Sequence, residues 1–571
     1  MSTRAAALTI TALLALSACT APEPAPDPTA EPAPDPVRVA QTSLPEQDVT
    51  VLEQPDAVGR ALAATRTFYD AAPVVVLAAE EDVDAQLAGA SVAVRLGMPL
   101  LLVPDGSAGT RDGTEEDTED EGAAGADEGA TGPAEVAEEL SRLETVTVVT
   151  VGEVDVPGGT DVTTVPHEQV GDLLDGAETV EVEPGREVRH VAELDRDEPR
   201  LLQHEDDEGT GEAEQTTAHE LPATEPAAPL TEAMLLTTGD TADLAAVATA
   251  RAAGVPVVRS TQPDPRATSR TVEALADAEV GPVVALGHRW GAPEDLGWKI
   301  DTARTGVQLP GGGQTLFPGK RMIALYGTPH YPALGLLGEQ DVEESIDRAR
   351  RLAAEYEPLT DDVVVPAFEI IVTVASRDAG ADEQYSNRLP VDTFVPWVEA
   401  ARDAGVYVVI DLQPGRTDFL TQARLYEELL LYPNVGLALD PEWRLEPDQV
   451  HLRQIGSVEA DEVNEVVDYL ADLTRENALP QKLLILHQFR LSMIQDRDDV
   501  DTSREEIAVM IHADGQGSQP AKQDTWRALR ASAPEGIWWG WKNFIDEDTP
   551  MLTPEQTFRD VEPVPHFVSY Q

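Results

Sequence analysis

Val435-Gly436-Leu437-Ala438-Leu439-Asp440-Pro441-Glu442-Trp443 is a short apolar run that stops on two carboxylates. A run of this length closed by proline suits a buried strand better than a helix. Residues i and i+2 of an extended segment point to the same side, so Asp440 and Glu442 would face one way. Comparable runs recur on both sides of it, at Met322 to Tyr326, Val363 to Val374, Val406 to Leu412, Leu483 to Phe489, Ile507 to His512 and Gly536 to Trp541. Helical segments lie between most of them: Asp341 to Tyr356, Phe394 to Ala404, Thr421 to Leu431, Ala460 to Glu476 and Lys522 to Ala531. Near-continuous Val/Ile/Leu strands alternating with helices indicate a parallel sheet covered by helices. Seven such units across 318–571 predict a TIM-type (β/α) barrel, and because no eighth strand is evident, a distorted or seven-stranded form is an alternative.

The ends of these strands are polar. In order they carry Tyr326 with His330, Glu369, Asp411 with Gln413, Asp440 with Glu442, His487 with Gln488, His512 with Asp514, and Trp541 with Lys542 and Asn543. Barrel active sites are assembled at that rim. Helix capping accounts for one or two such residues and not for seven ends. Two acids set against one ligand have their pKa values pushed apart, which leaves one protonated as a general acid. Glu442 is therefore the expected acid, with Asp440 or Asp411 as nucleophile, base or positioning group and Glu369 as a further carboxylate of the site. The bland alternative makes Asp440 a turn residue before proline and Glu442 a surface acid.

His330, Gln413, Trp443, His487, Gln488, His512, Trp541 and Lys542 are the expected substrate contacts. Indole faces stack on sugar rings, although tryptophans in a strand equally serve packing, the role expected of Trp538 and Trp539. His487 and His512, with Asp440 or Glu442, form a competing metal-ligand set. No HxH or HxxxH pair supports it, so no metal and no cofactor is expected. The barrel is expected to be a carbohydrate-active hydrolase. The alternatives are a noncatalytic glycan- or wall-binding module and a metal-dependent hydrolase.

At the other end of the chain, Arg4, the apolar run Ala5 to Leu16 and the small residues Ser17-Ala18 precede Cys19, the only cysteine in 571 residues. This is the pattern of a secretory signal, too short to span a bilayer. Leu16-Ser17-Ala18-Cys19 resembles a bacterial lipobox, which implies a lipid on Cys19 and a place on the outer face of the cell membrane. Residues 20–48 form a Pro/acid tract expected to be an extended spacer. Without a further cysteine, the exported domains must fold without disulfides. Net charge is -65, from 105 acidic and 40 basic residues, which makes nucleic acid and anionic lipid headgroups poor partners.

Between spacer and barrel, over 49–310, lies an internal repeat. Val74-Val75-Val76-Leu77 and the later Arg95-Leu96-Gly97-Met98-Pro99-Leu100-Leu101-Leu102 are echoed by Met234-Leu235-Leu236-Thr237 and Ala253-Gly254-Val255-Pro256-Val257-Val258. A third strand follows in each copy, Val146 to Gly152 and Pro282 to Gly287. The pattern predicts two Rossmann-like βαβ lobes, each Gly-x-Pro closing a helix before a buried strand. Acidic tracts near 106–132 and 200–228 are expected to be disordered inserts. The repeat resembles the bacterial cell-wall-binding repeat of type 2, with two units evident and Gly152-Glu153 and Gly287-His288 where that family has Gly-Gly. The resemblance implies noncovalent binding to envelope polymers such as cell-wall glycan or peptidoglycan; a scaffold that has kept only the shape is the alternative.

Two weaker resemblances concern the barrel. Asp440-Pro441-Glu442 is similar to the Asp-x-Glu that ends the fourth strand of chitinase-like glycosidases, with Gly436 and Ala438 in place of the earlier acids. Ala438 to Trp443, His487 to Arg490 and Trp539 to Phe544 resemble stretches in barrel domains of actinobacterial lipoproteins, which implies fold and location.

Overall fold

The computed structural model describes residues 37–104, 131–159, 162–167, 173–174, 176–204, 221–276 and 281–571. The leader, Cys19 and most of the 20–48 spacer lie outside the described residues, as does most of each acidic insert.

From residue 320 onward, eight strands close into one parallel barrel: β1 Lys320–Gly327, β2 Val363–Ala375, β3 Tyr407–Leu412, β4 Val435–Leu439, β5 Lys482–Gln488, β6 Ile507–Ala513, β7 Trp538–Asn543 and β8 Phe567–Tyr570. Each pairs with its neighbour in the chain, and β8 pairs with β1 to seal the ring. The seven-stranded alternative is thereby corrected. The strand that the sequence hid is a four-residue segment with Ser569 inside it, too short and too polar to register as a buried run. Helices Val342–Ala354, Val395–Ala404, Ala460–Glu476 and Gln519–Arg530 stand where alternation predicts them. The expected 421–431 helix is two pieces, Phe419–Leu425 and Glu427–Leu430, broken at Tyr426, whose hydroxyl donates to the Val372 and Leu389 carbonyls.

Period-two alternation splits every strand between two environments. Ile323, Phe368, Val408, Leu437, Leu484, Ile511 and Trp541 face the helices. Met322, Ala324, Val365, Ala367, Tyr407, Val409, Ala438, Leu483, Ile485, Met510 and Phe567 fill the lower half of the barrel interior. Leu309, Leu316 and Phe317, from the segment entering β1, join this inner cluster, with the Phe317 ring 5.1 Å from that of Trp538 at the start of β7. The N-terminal end of the barrel is thus plugged by the chain itself, and the C-terminal end is left for a site.

The N-terminal part holds two four-stranded parallel sheets. One runs Leu100–Val103, Val74–Ala79, Thr147–Val151, Thr163–Pro166; the other runs Val257–Arg259, Met234–Thr237, Val283–Leu286, Val49–Leu52. Val74–Ala79 lies between Leu100–Val103 and Thr147–Val151, and Met234–Thr237 lies between Val257–Arg259 and Val283–Leu286. Alanine-rich helices Val83–Leu96 and Leu244–Ala252 pack together with Ala57–Phe68, so both sheets contribute to one core. Helix Val83–Leu96 ends on Gly97 at φ 67, where an added Cβ would lie 2.6 Å from Pro226. Glycine is demanded there by the left-handed cap and by the close neighbour. The core is crossed by a buried ion pair, Arg60 Nη1 to Asp243 Oδ1 at 2.6 Å. Glu178–Val182, helix Glu187–Ala192 and Arg200–His204 make a further parallel pair, so the start of the expected 200–228 insert is strand. Lys299 meets Glu505 at 2.6 Å, joining this part to the barrel. Among the described residues, no helix is long and apolar enough to cross a membrane.

Candidate active site

One step above the apolar interior, the same alternation turns polar on every strand. Tyr326 on β1, Glu369 on β2, Asp411 on β3, Asp440 just past β4, His487 on β5, His512 on β6, Lys542 on β7 and Ser569 on β8 form a polar ring toward the C-terminal ends of the strands, each 3% exposed or less. The Tyr326 hydroxyl donates to Asp411 Oδ2 at 2.8 Å. His487 Nδ1 is hydrogen-bonded to Asp514 Oδ2 at 2.8 Å. Its Nε2 is ion-paired with Glu369 Oε1 at 2.8 Å and lies 4.0 Å from Asp411 Oδ1. His512 Nε2 meets Ser569 Oγ at 3.2 Å, while its Nδ1 lies 3.9 Å from Glu369 Oε1. Lys542 Nζ is 3.5 Å from Asp514 Oδ2 and sits 3.5 Å from the centroid of the Tyr326 ring. Gly540, opposite His512 on β7, makes room for that imidazole: a Cβ there would stand 2.6 Å from His512 Cδ2.

Above the ring a cavity of about 680 Å³ opens at the barrel mouth, lined by Tyr326, Gln413, Asp440, Glu442, Trp443, Asp514 and Lys542 among others. Glu442 and Trp443 reach it on the single turn Pro441–Trp443, held by Gly456 N–H donating to the Glu442 carbonyl at 2.8 Å. Gln413 is fixed by accepting from Ala375 N–H at 2.9 Å.

Burial dominates the titration of the acids, because a carboxylate loses hydration in a low-dielectric site. It pushes Glu442 up to about 7, with the charge of Asp514 acting in the same direction. Asp440 is held well above the carboxylate range by burial and by Glu442. Asp411 is raised to about 6 by burial, against the opposing pull of His487. Burial acts on Asp514 too but is overcome by Lys542 and His487, which hold that carboxyl below its usual value.

Of the four acids expected to be catalytic, Asp440 and Glu442 line the cavity, whereas Asp411 and Glu369 belong to the ring beneath it. Trp443, Gln413 and Lys542 line it as expected; His487 and His512 are fully buried in the ring. Three expected contacts lie elsewhere. His330 is exposed past the end of β1, on a left-handed backbone at φ 69. Gln488 follows His487 and so points to the other side of β5, where Arg497 donates to its Oε1 at 2.8 Å. Trp541 likewise faces outward and packs 5.7 Å from Trp526. Trp538 and Trp539 pack as expected, against Phe317 and Trp526. Asp514, two residues beyond His512, reaches the cavity and was signalled by the same i, i+2 rule that pairs Asp440 with Glu442.

No protein-family model matches the chain, and no curated protein does. Among solved structures it is similar to Cwp6 from Clostridium difficile, with a TM-score of 0.32 and 10% identity over 65% of this chain. That match spans 63% of the Cwp6 chain, less than two thirds of its length. It is also similar to a GH5-4 broad specificity endoglucanase from Clostridum cellulovorans, with a TM-score of 0.26 and 14% identity over 44% of this chain and 84% of that one. Likenesses this distant carry neither activity nor binding over to this chain.

Proposed function

We infer that the barrel is a carbohydrate-active hydrolase acting on an envelope or extracellular glycan, with Glu442 as general acid. The observation that carries the reading is a glutamic acid in the mouth cavity whose carboxyl is pushed up to about 7. Cleaving a glycosidic bond needs a group that still holds a proton near neutral pH to protonate the leaving oxygen. It also needs negative charge facing the sugar carbon that becomes cationic. Asp514, paired with Lys542 in the same cavity, is the carboxylate available for that task. Asp440 positions Glu442 by sharing its crowded site, and Trp443 offers an indole face at the rim for stacking on a ring.

In this proposal the chain is anchored outside the cell membrane by a lipid on Cys19. The N-terminal α/β part binds or spaces without catalysis of its own. The plugged end of the barrel, where Leu316 and Phe317 enter, is the end nearest the preceding domain, which directs the mouth away from it. Salt-dependent retention of the chain on isolated cell walls tests the binding role.

The hydrolase reading is tested on peptidoglycan and a panel of polysaccharides, with Glu442→Gln beside the native chain. Release of reducing ends by the native protein, reduced about 100-fold or more in the variant, is expected. Equal turnover by the variant, or glycan binding without turnover by the native chain, overturns it.

A further inference from the structure

The ring beneath the cavity gathers buried ligand-type atoms that the described residues satisfy only in part. Glu369 Oε1 and His487 Nε2 meet only each other, as an ion pair at 2.8 Å, while Glu369 Oε2, His512 Nδ1 and Asp411 Oδ1 are buried without a hydrogen-bond partner among the described residues. Buried polar atoms are normally paired, so orphans gathered at one point call for a ligand there. We propose that Glu369, His487 and His512 hold one divalent transition-metal ion of the zinc or manganese class at the base of the cavity.

Geometry supports the donor set. One ligand atom from each of the three residues falls within 4.8 Å of the others. Bonds of about 2.0 to 2.2 Å to one ion place its ligand atoms roughly 3 to 4 Å apart. Glu369 Oε1 stands 2.8 Å from His487 Nε2 and 3.9 Å from His512 Nδ1, close to that spacing.

The far side of each imidazole is occupied in the manner of a metal ligand. His487 is bonded through Nδ1 to Asp514 and His512 through Nε2 to Ser569, which turns the remaining nitrogens toward Glu369. Metal-binding histidines use their second nitrogen in this way to fix ring orientation. Gly540 keeps the space that His512 needs for this pose. Asp411 Oδ1, 4.0 Å from His487 Nε2, is a further oxygen within reach of the ion. Charge points the same way: Glu369, Asp411, Asp440, Glu442 and Asp514 crowd around one lysine, Lys542. Two imidazoles with a carboxylate suit zinc, manganese or iron(II) better than calcium or magnesium, which take oxygen ligands.

This assignment is independent of the role given to Glu442, and its test separates the two. The purified chain is stripped with EDTA, desalted and titrated calorimetrically with Zn²⁺. A separate metal-free portion receives Co²⁺ as a spectroscopic probe. About one equivalent of Zn²⁺ per chain, with visible Co²⁺ bands, is expected of the native protein and of Glu442→Gln. His512→Ala and Glu369→Gln, checked for native circular dichroism, should bind at least tenfold more weakly. Absence of Zn²⁺ uptake by the native chain overturns the site, as does undiminished uptake by both folded variants. Should neither variant fold, the native titration and Co²⁺ spectrum decide alone. Metal uptake without glycan turnover removes the glycosidase reading and leaves this one, and turnover without uptake does the reverse.

Discussion

Replacing Glu442 with glutamine should stabilise the barrel at pH 8 and leave it nearly unchanged at pH 4. The carboxyl titrates at about 7 in the folded protein because burial and the neighbouring Asp514 disfavour its charge, against 4.5 for an unhindered glutamate. Between those values the folded chain keeps a proton that the unfolded chain has released. Unfolding free energy therefore falls as pH rises through this window. A separation of about 2.5 units at about 1.4 kcal/mol each gives about 3 kcal/mol. This is an upper bound, because Asp440 crowds the same site and shares the burden. Glutamine carries no charge at either pH, so the variant escapes the loss. Urea unfolding followed by tryptophan fluorescence at pH 4, 6 and 8, in EDTA so that no ion contributes, measures the difference. A gain over the native protein that grows from pH 4 to pH 8, up to about 3 kcal/mol, is the expected result. A difference independent of pH, or a variant less stable at pH 8, would refute the claim that Glu442 is held protonated by its surroundings.

Gly540→Ala should cost about 1 to 3 kcal/mol by overpacking, because the new methyl would meet His512 at 2.6 Å and Met510 Sδ at 3.1 Å between paired strands; unchanged stability in urea would show that the ring yields. Arg60→Ala should cost the N-terminal part about 3 to 5 kcal/mol by leaving fully buried Asp243 unpaired, with the barrel transition unmoved in the same melt. Cys19→Ala should release the chain from the membrane fraction, and unchanged detergent partitioning would remove the lipid anchor.

Much of this was legible because the barrel is written in local patterns. Seven strands and four of the helices follow from apolar runs and their spacing alone. Period two also tells which strand-end residues face inward, and it would have separated His487 from Gln488 and Lys542 from Trp541. Phe567–Tyr570 escaped because four residues carry little periodicity, and Ser569 interrupts them for a reason visible only once β8 lies beside His512 on the ring. The pairing of Glu369 with His487 was equally hidden. These residues are 118 positions apart, on β2 and β5, and only closure of the barrel brings them to 2.8 Å. Arg200–His204, which falls at the start of the expected 200–228 insert, has only Leu202 buried, so a mostly half-exposed strand read as part of a solvated tract.

The polar ring is hard to explain as a means of holding the barrel together. Buried charges lose hydration, and replacing them with well-packed aliphatic side chains is often neutral or stabilising. The lower interior of this same barrel is built in that way, from Met322, Ala324, Val365, Ala367, Leu483, Ile485 and Met510. One step higher, each strand gives up the apolar filling for a polar residue, and Glu369 Oε2 and His512 Nδ1 remain there without a hydrogen-bond partner among the described residues. A need for structural hydrogen bonds would leave such a layer satisfied internally, as Gln422 is by Thr373 and Ser386 nearby. What the unsatisfied groups share is a direction, toward a common point under a cavity lined by Asp440, Glu442 and Asp514. On the proposal of a metal at this point, the lower layer and the helical shell supply the stability that offsets the burial of the upper layer.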